Sequence, residues 1–197
     1  MSKYLALDVE TGGLNAHQHT LLTAYFLVLD ENFKEVANLS LKLKPYPGNS
    51  YSVETSALKI NKINLVEHDA EALEVEEAQV AFIELLSRYT SRDTKGEVIK
   101  LTPIGHNVAF DVGFLTTQLI QKEYWDAFVG YRTIDTATIA QFLKFSEKLP
   151  KEVSGSLGPL SKYLEVDFSE GEYHTAEGDV KLTLAVLEKF KQLVNQK

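Results

Sequence analysis

The chain has 197 residues, of which 44% are hydrophobic and 24% charged, with a net charge of −8 and no cysteine. These values predict one globular domain spanning residues 1–197, and they exclude a disulfide framework and thiolate chemistry. No apolar run reaches membrane-spanning length and no signal peptide is visible, so we expect a cytoplasmic protein that makes no membrane contact. The acidic balance argues against broad electrostatic wrapping of duplex nucleic acid, but not against a small metal-loaded pocket.

The first half of the chain is typical of a β-meander followed by helices. Three apolar segments rich in β-favouring residues predict an antiparallel meander of three strands: residues 3–9, 20–30 and 36–45. Residues 52–60 predict a short helix with Ser52 as its cap, and residues 71–90 predict a longer helix whose acidic start suits the helix dipole.

The second half alternates strands with helices. Strands are predicted over residues 98–107 and 131–136. Apolar residues at helical spacing predict helices over 108–121, about 136–146, 156–164 and 175–195. The loop-like segment 146–158 is expected to connect elements inside one domain. This order of elements predicts an α/β fold in which helices flank a mixed sheet.

Two carboxylates interrupt the first apolar strand, in the stretch LALDVETGG. Residues two positions apart share a strand face, so Asp8 and Glu10 are expected side by side, about 7 Å apart along the backbone. Neither residues 4–30 nor residues 102–121 contain Lys or Arg. Local salt-bridge partners are therefore scarce, and a like-charged pair in a core strand needs another explanation.

Two further aspartates lie among apolar residues. Asp111 follows GHNVAF on a short apolar helix, and Asp179 shares a helix face with core-type residues. Each acid has an ordinary explanation on its own: Asp8 could cap a turn, while Asp111 and Asp179 could favour a helix start. Four such carboxylates together make coincidence a weaker explanation, and clustered carboxylates without basic partners suit Mg²⁺ or Mn²⁺.

A histidine near the last aspartate adds a group that can exchange protons. His174 lies five residues before Asp179, and Thr175 is a suitable N-cap, which places His174 just outside the helix. From there it could approach a metal site and take a proton from water, although a lone loop histidine is more often simply exposed. The other histidines are interpreted mainly as surface or structural residues, with His106 set apart because it precedes the Asp111 helix: His17, His19, His68 and His106.

These residues resemble the three ordered motifs of the DEDDh branch of the DnaQ-like 3′–5′ exonuclease superfamily, over nearly the whole chain. LALDVETGGL resembles the first motif, GHNVAFDVGF the second and HTAEGDVKLT the third, while SLGPLSKYLEV resembles the short helix before the third. The sister branch has a tyrosine four residues before the last aspartate. That position is Thr175 here, which favours the histidine branch.

The resemblance implies a ribonuclease H-like fold, a five-stranded sheet with a three-strand antiparallel meander plus parallel strands, flanked by helices. It also implies a two-metal mechanism with two Mg²⁺ or Mn²⁺ ions. Asp8, Glu10 and Asp179 would hold one ion, Asp8 would bridge to the second, with Asp111 acting directly or through water, and His174 would be the general base. The expected product is a nucleoside 5′-monophosphate released from a 3′ end.

The resemblance further assigns residues around the terminal nucleotide. The floor would be formed by Thr11, Gly12, Gly13 and Leu14, where glycines permit close backbone approach and Leu14 wedges against the base. The other wall would include His106, Asn107 and Phe110, with plain core packing an equally good interpretation of Phe110. Family members often carry two threonines after the glutamate, whereas Thr11 is followed here by Gly12.

Several functions are compatible with these motifs. The leading hypothesis is an exonuclease for single-stranded DNA, working alone or as the proofreading partner of a DNA polymerase. The nearest alternative is the same chemistry on RNA 3′ ends or short oligoribonucleotides, because nothing in the sequence fixes recognition of the 2′-hydroxyl. A non-catalytic nucleic-acid-binding module is disfavoured by the complete set of acids, and a structural Ca²⁺ protein by the dispersal of those acids.

Overall fold

The structure is a computed structural model that describes residues 3–168 and 173–195. Its strands, in chain order, are β1 (Tyr4–Thr11), β2 (Leu21–Leu29), β3 (Glu35–Lys42), β4 (Ser91–Arg92), β5 (Val98–Ile99), β6 (Thr102–Gly105) and β7 (Ile134–Asp135). Its helices are α1 (Thr55–Asn61), α2 (Leu65–Glu71), α3 (Val75–Tyr89), α4 (Val108–Gln118), α5 (Lys122–Phe128), α6 (Thr136–Phe145), α7 (Leu157–Tyr163) and α8 (Ala176–Asn195).

The main sheet has five strands in the order β3-β2-β1-β6-β7. β1 and β3 both pair antiparallel with β2, and β6 adds to β1 in parallel, followed by β7, also in parallel. The predicted meander and the mixed α/β sheet are therefore confirmed. The β1–β6 ladder runs only from Tyr4 to Ala6, so the second half of β1 projects past its parallel neighbour.

Both faces of the sheet are covered by apolar side chains. Leu5, Leu7 and Val9 belong to the larger core, together with residues of α3 and α4. Tyr4 and Ala6 point to the other face and pack with residues of α8. This alternation is the one expected for a central strand buried on both sides, and it sends Asp8 and Glu10 toward the α8 face.

Several local predictions about the first half are corrected by the structure. Ser52 does not cap α1: the N-cap position is Glu54, which makes no side-chain cap hydrogen bond, while the Ser52 amide donates to Thr20 Oγ1 at 2.8 Å. α3 begins at Val75 rather than at residue 71, because Leu73 forms a β-bridge with Leu43.

The segment 98–107 is not one strand. Val98–Ile99 pairs with Ser91–Arg92 in a separate two-stranded sheet, and only Thr102–Gly105 joins the main sheet. Two seven-residue helices, α2 and α5, escaped the sequence analysis because so short a helix shows little periodicity. In the part of the chain that the structure describes, no helix is both long enough and apolar enough to cross a membrane.

Candidate active site

The acidic pair of β1 lies where the strand extends beyond β6. The parallel ladder ends at the Ala6–Ile104 pair, whereas the pairing with β2 continues through Asp8 and Glu10. Both carboxylates therefore lie at the carboxyl end of the parallel strands, which is where open α/β sheets usually bind their ligands. As the sequence predicts, they share one face.

Asp179 joins this pair from the first turn of α8. Thr175 caps the helix, because its hydroxyl accepts from the Gly178 amide at 3.1 Å and its carbonyl from the Asp179 amide at 2.9 Å. One carboxylate oxygen from each of Asp8, Glu10 and Asp179 lies within 4.8 Å of the other two. Three oxygens at this spacing form a ready set of ligands for a hard divalent cation.

Asp111 approaches from the opposite side of β1. It lies in the first turn of α4, is 3% exposed, and accepts a hydrogen bond from the Val9 amide at 3.0 Å through Oδ1. The carboxylate thus satisfies a β1 amide beyond the end of the β6 ladder. Gly105 permits this approach of helix and strand, because a Cβ there would lie 2.9 Å from Val108 Cγ2 and 3.4 Å from the Leu7 carbonyl.

The pKa values of all four carboxyl groups are raised by burial, and some are raised further by neighbouring carboxylates. Burial is the largest cause in each case: it raises the pKa of Glu10 to about 8 and that of Asp111 to about 8, and it holds the pKa of Asp8 well above its usual range. Neighbouring carboxylates raise the pKa of Asp8 and Glu10 further. Burial also raises the pKa of Asp179, against the lowering effect of a hydrogen bond from the His174 backbone.

This cluster fits a divalent cation better than it fits an ordinary protein core. Asp179 Oδ1 is buried without a hydrogen-bond partner. In residues 3–168 and 173–195, the ion pairs involve other acids and reach none of the four carboxylates. An all-carboxylate ligand set matches Mg²⁺ or Mn²⁺, and a bound cation would remove the repulsion that raises these pKa values.

His174 lies beside the cluster, as the sequence predicts. It precedes α8 with a left-handed backbone (φ 62°) and an exposed side chain. A cavity of about 250 Å³ is lined by both His174 and Glu10, so these two residues of the predicted site face a common space. The arrangement lets an imidazole act on a water molecule near the acidic cluster.

The predicted floor residues surround a second cavity, of about 300 Å³. Four of the seven predicted substrate contacts line it, and Leu14 projects with 83% of its surface exposed. The wall opposite Phe110 comes from α1, which the sequence analysis did not assign. The lining includes Glu10, Thr11, Gly13, Leu14, Glu54, Ala57, Ile60, Asn61 and Phe110.

The absence of a side chain at Gly12 lets the backbone segments beside this cavity approach each other closely. A Cβ on Gly12 would lie 2.3 Å from the Ser52 carbonyl, and the Gly12 carbonyl accepts from the Glu54 amide at 2.6 Å. Gln118 of α4 holds the same loop from the other side, since its Nε2 donates to the carbonyls of Ala16 at 2.6 Å and His19 at 2.7 Å. The floor is therefore tied to both α1 and α4.

His106 and Asn107 are absent from the lining of either cavity. The His106 ring is hydrogen-bonded to Thr136 Oγ1 at 2.9 Å, and burial lowers its pKa. Asn107 has a left-handed backbone (φ 62°) that is fixed by its amide donating to Asp135 Oδ1 at 3.0 Å. Both residues therefore shape the turn that presents Asp111, and the Asn107 side chain remains exposed.

The sequence of the chain is similar to two proteins named ribonuclease T, while no protein-family model matches it. The ribonuclease T of Shewanella frigidimarina is 26% identical over 197 residues, covering 98% of this chain and 82% of the relative. That of Shewanella denitrificans is 25% identical and covers 98% of this chain and 80% of the relative.

The fold is similar to solved structures of exonuclease I. The enzyme from Methylocaldum szegediense gives a TM-score of 0.73 at 17% identity, covering 98% of this chain and 41% of that chain. E. coli exonuclease I in complex with a dT13 oligonucleotide gives 0.66 at 17% identity, covering 98% and 41%. This chain thus spans about two fifths of the exonuclease I chains.

The structural likeness confirms the predicted ribonuclease H-like fold class. Nuclease names thus recur among the proteins that this chain resembles in sequence and in structure: ribonuclease T in sequence and exonuclease I in structure.

Proposed function

We propose that this protein is a metal-dependent 3′–5′ exonuclease that hydrolyses single-stranded DNA and releases nucleoside 5′-monophosphates. The observation that carries the proposal is the partly buried acidic cluster, in which Asp8, Glu10 and Asp179 offer oxygens within 4.8 Å of one another and no ion pair of the described residues reaches them. The ribonuclease T and exonuclease I likenesses support exonuclease chemistry. Partnership with a DNA polymerase stays a prediction.

The carboxylates would hold two divalent cations. Asp8, Glu10 and Asp179 supply the ligands of one, and Asp8 with Asp111 those of the other. When bound, such a pair stabilises the attacking and the leaving oxygen of an in-line displacement at phosphorus. The unpartnered Asp179 Oδ1 and the raised pKa values of all four acids support this assignment.

His174 would act as the general base. Its imidazole accepts a proton from the attacking water, whose oxygen forms the new bond to phosphorus while the bond to the 3′-oxygen of the preceding nucleotide breaks. The shared cavity with Glu10 supports this role, because it brings the imidazole to the edge of the carboxylates. A positioned general base typically contributes about a hundredfold to ten-thousandfold in rate.

The terminal nucleotide would occupy the cavity between the β1 loop and α1. Leu14 and Ile60 are exposed by 83% and 56%, and such apolar side chains suit the face of a base. Thr11 and Gly13 line the same cavity next to Glu10, so a nucleotide seated there would place its phosphate near the acidic cluster. Contacts of this kind do not read sequence, which favours a sequence-tolerant enzyme.

An exoribonuclease is the second candidate. The sequence relatives, which this chain covers to 80% or more of their length, carry the name ribonuclease T, whereas the structural neighbours include an exonuclease I in complex with a DNA oligonucleotide. The two substrates differ at the 2′-hydroxyl, so a direct comparison of DNA and RNA distinguishes the two functions.

The test is incubation with Mn²⁺ and 5′-labelled single-stranded oligonucleotides of matched sequence, one DNA and one RNA. We expect a ladder that shortens from the 3′ end and is lost in both Asp8→Ala and His174→Ala. The strand that is degraded faster identifies the preferred type of nucleic acid. Absence of degradation for both substrates with Mg²⁺ and with Mn²⁺ would refute the enzyme, and binding of the labelled strands would then point to a non-catalytic module.

A further inference from the structure

The residue before the proposed base is anchored to a neighbouring helix. We propose that Tyr173 is a positioning residue that sets the place of His174 through a socket on α7, formed by Gly158 and Ser161. This inference rests on the proposed function, because it gives His174 the role of base. Tyr173 lies six residues before Asp179, so it is not the tyrosine of the sister branch described above.

The hydroxyl of Tyr173 enters a small polar network. It lies 2.5 Å from Ser161 Oγ and 3.3 Å from the Gly158 carbonyl, and Ser161 Oγ donates to that carbonyl at 2.8 Å. Each hydroxyl carries one proton, so the network is complete when Ser161 donates to the carbonyl and Tyr173 donates to Ser161. A network satisfied in this way fixes the position of its members.

The shape of the socket also matches Tyr173. Gly158 lies under the ring, and a Cβ at that position would lie 3.2 Å from Tyr173 Cε1 and 3.6 Å from its hydroxyl. Phe168 packs edge-on against the ring, with centroids 5.5 Å apart and planes at 90°. The aromatic ring is therefore held by packing as well as by hydrogen bonds.

The socket is not needed to hold α7 in place. Leu160 of α7 and the C-cap residue Leu164 already share a buried apolar cluster with Val186 and Phe190 of α8. Ser161, by contrast, is a hydroxyl residue that is only 2% exposed beside that cluster, and its side chain is directed to Tyr173. A buried serine with this partner is better explained by the docking of Tyr173 than by helix packing.

The consequence is that His174 is fixed from both sides. Tyr173 is anchored to α7, and Thr175 caps the helix that carries Asp179. Between them His174 has a left-handed backbone (φ 62°), and its ring lies 5.8 Å from the Tyr173 ring. A base must stay within hydrogen-bond reach of its water, and a displacement of about 1 Å can cost about a hundredfold in rate.

The experiment compares Tyr173→Phe with Tyr163→Phe, a matched loss of one hydroxyl from a half-exposed tyrosine on α7. We expect Tyr173→Phe to lower kcat roughly ten- to hundredfold, with KM and the melting temperature unchanged. Ser161→Ala should reproduce the effect by removing the partner of the hydroxyl. Tyr163→Phe should retain the kcat of the wild type.

A double-mutant cycle separates positioning from a structural role. The cycle is measured on the residual kcat of His174→Ala, at an enzyme concentration high enough to detect it. If Tyr173 acts through His174, Tyr173→Phe has no further effect on that residual kcat. An equal loss in both backgrounds, or a loss fully explained by a lower melting temperature, would overturn the proposal. So would a wild-type kcat for Tyr173→Phe.

A spectroscopic measurement keeps this inference distinct from the proposed function. The ring resonances of His174 in proton NMR report its environment whether or not nucleic acid is cleaved. We expect Tyr173→Phe to shift or broaden them, with no such change in Tyr163→Phe. An inactive wild type whose His174 resonances respond in this way would refute the exonuclease and retain the socket, and unchanged resonances would refute the socket.

Discussion

The two faces of β1 have opposite chemistry along the same eight residues. On one face, Leu5, Leu7 and Val9 are at most 6% exposed and belong to the larger core. On the other face, Asp8 and Glu10 follow Ala6 and bring like charges together. The first face stabilises the fold, because burying a Leu or Val side chain contributes roughly 1.5–3 kcal/mol. The second opposes folding wherever its carboxylates are ionised without a neutralising cation.

The largest effect expected on the acidic face is loss of activity without loss of stability. Glu10→Gln keeps the shape of the side chain but removes one charge of the proposed metal site. We expect kcat/KM to fall about a thousandfold, since metal stabilisation of the transition state is worth several kcal/mol. Cleavage of a 5′-labelled strand with Mn²⁺ measures the effect.

Glu84→Gln on the exposed side of α3 is the matched control for the same change of charge, and it should retain full activity. Full activity of Glu10→Gln would remove Glu10 from the ligand set.

The core face should show the reverse behaviour. Leu7→Ala removes a side chain that is 1% exposed and leaves a cavity, which should lower the free energy of unfolding by about 3 kcal/mol. The folded fraction should keep most of its kcat, because Leu7 points away from the face that carries Asp8, Glu10 and Asp179. Urea unfolding measures the stability, and Val36→Ala at the exposed β3 position is the control, with a change within about 0.5 kcal/mol.

A large fall in kcat for folded Leu7→Ala would show that the two faces are not independent.

The two faces should also differ in their response to pH and metal. The folded-state pKa of Glu10 is raised from 4.5 to about 8, so the folded protein favours the protonated side chain. Its contribution to the free energy of unfolding is therefore fully present below about pH 4.5 and is lost as the pH rises through about 8. Without metal, Glu10→Gln should therefore be more stable than the wild type at pH 8, and this difference should shrink at pH 5.5.

Bound metal should reverse this difference in stability, so that the wild type becomes more stable than Glu10→Gln. At a hundred times its dissociation constant, Mn²⁺ would stabilise the wild type by about 2.7 kcal/mol, and it should do so less at pH 5.5, where the acids bind protons instead. Thermal melting with and without Mn²⁺ at the two pH values tests this. Equal metal effects at both pH values would contradict a carboxylate site.

The acidic face was predictable from the sequence because it breaks the local pattern. Asp8, Asp111 and Asp179 each interrupt an apolar stripe, and the resemblance to three ordered motifs predicts that they belong to one site. The meander was predictable for the related reason that its strands are apolar and rich in β-favouring residues. Strong local signals thus sufficed for both faces of β1.

The α1 wall of the second cavity was not predictable in the same way. Residues 56–63 resemble a family element beside the site, but no role could be assigned to them, because an exposed apolar residue such as Ile60 does not by itself distinguish a ligand contact from an ordinary surface residue. The division of segment 98–107 also depends on pairing with distant strands, since Val98 joins β4 and Thr102 joins β1. Such features depend on tertiary placement, which periodicity does not encode.

Asp111 connects the two faces, and two substitutions separate its roles. Its Oδ1 accepts from the amide of Val9, a residue of the core face, while its charge adds to the repulsion around Asp8. Asp111→Asn retains an acceptor for the Val9 amide, so stability should be preserved or increased while activity is lost. Asp111→Ala leaves that buried amide without its partner, which should cost roughly 1–3 kcal/mol.

Urea unfolding without metal measures both variants, and the protection of the Val9 amide in hydrogen exchange locates the change. If the Val9 amide loses protection in Asp111→Ala but keeps it in Asp111→Asn, the hydrogen bond stabilises the fold and the charge serves the metal site. If the two variants were equally destabilised, the charge of Asp111 would itself stabilise the folded state without metal. The raised pKa of about 8 argues against that result, because it means that the folded protein favours the neutral carboxyl group.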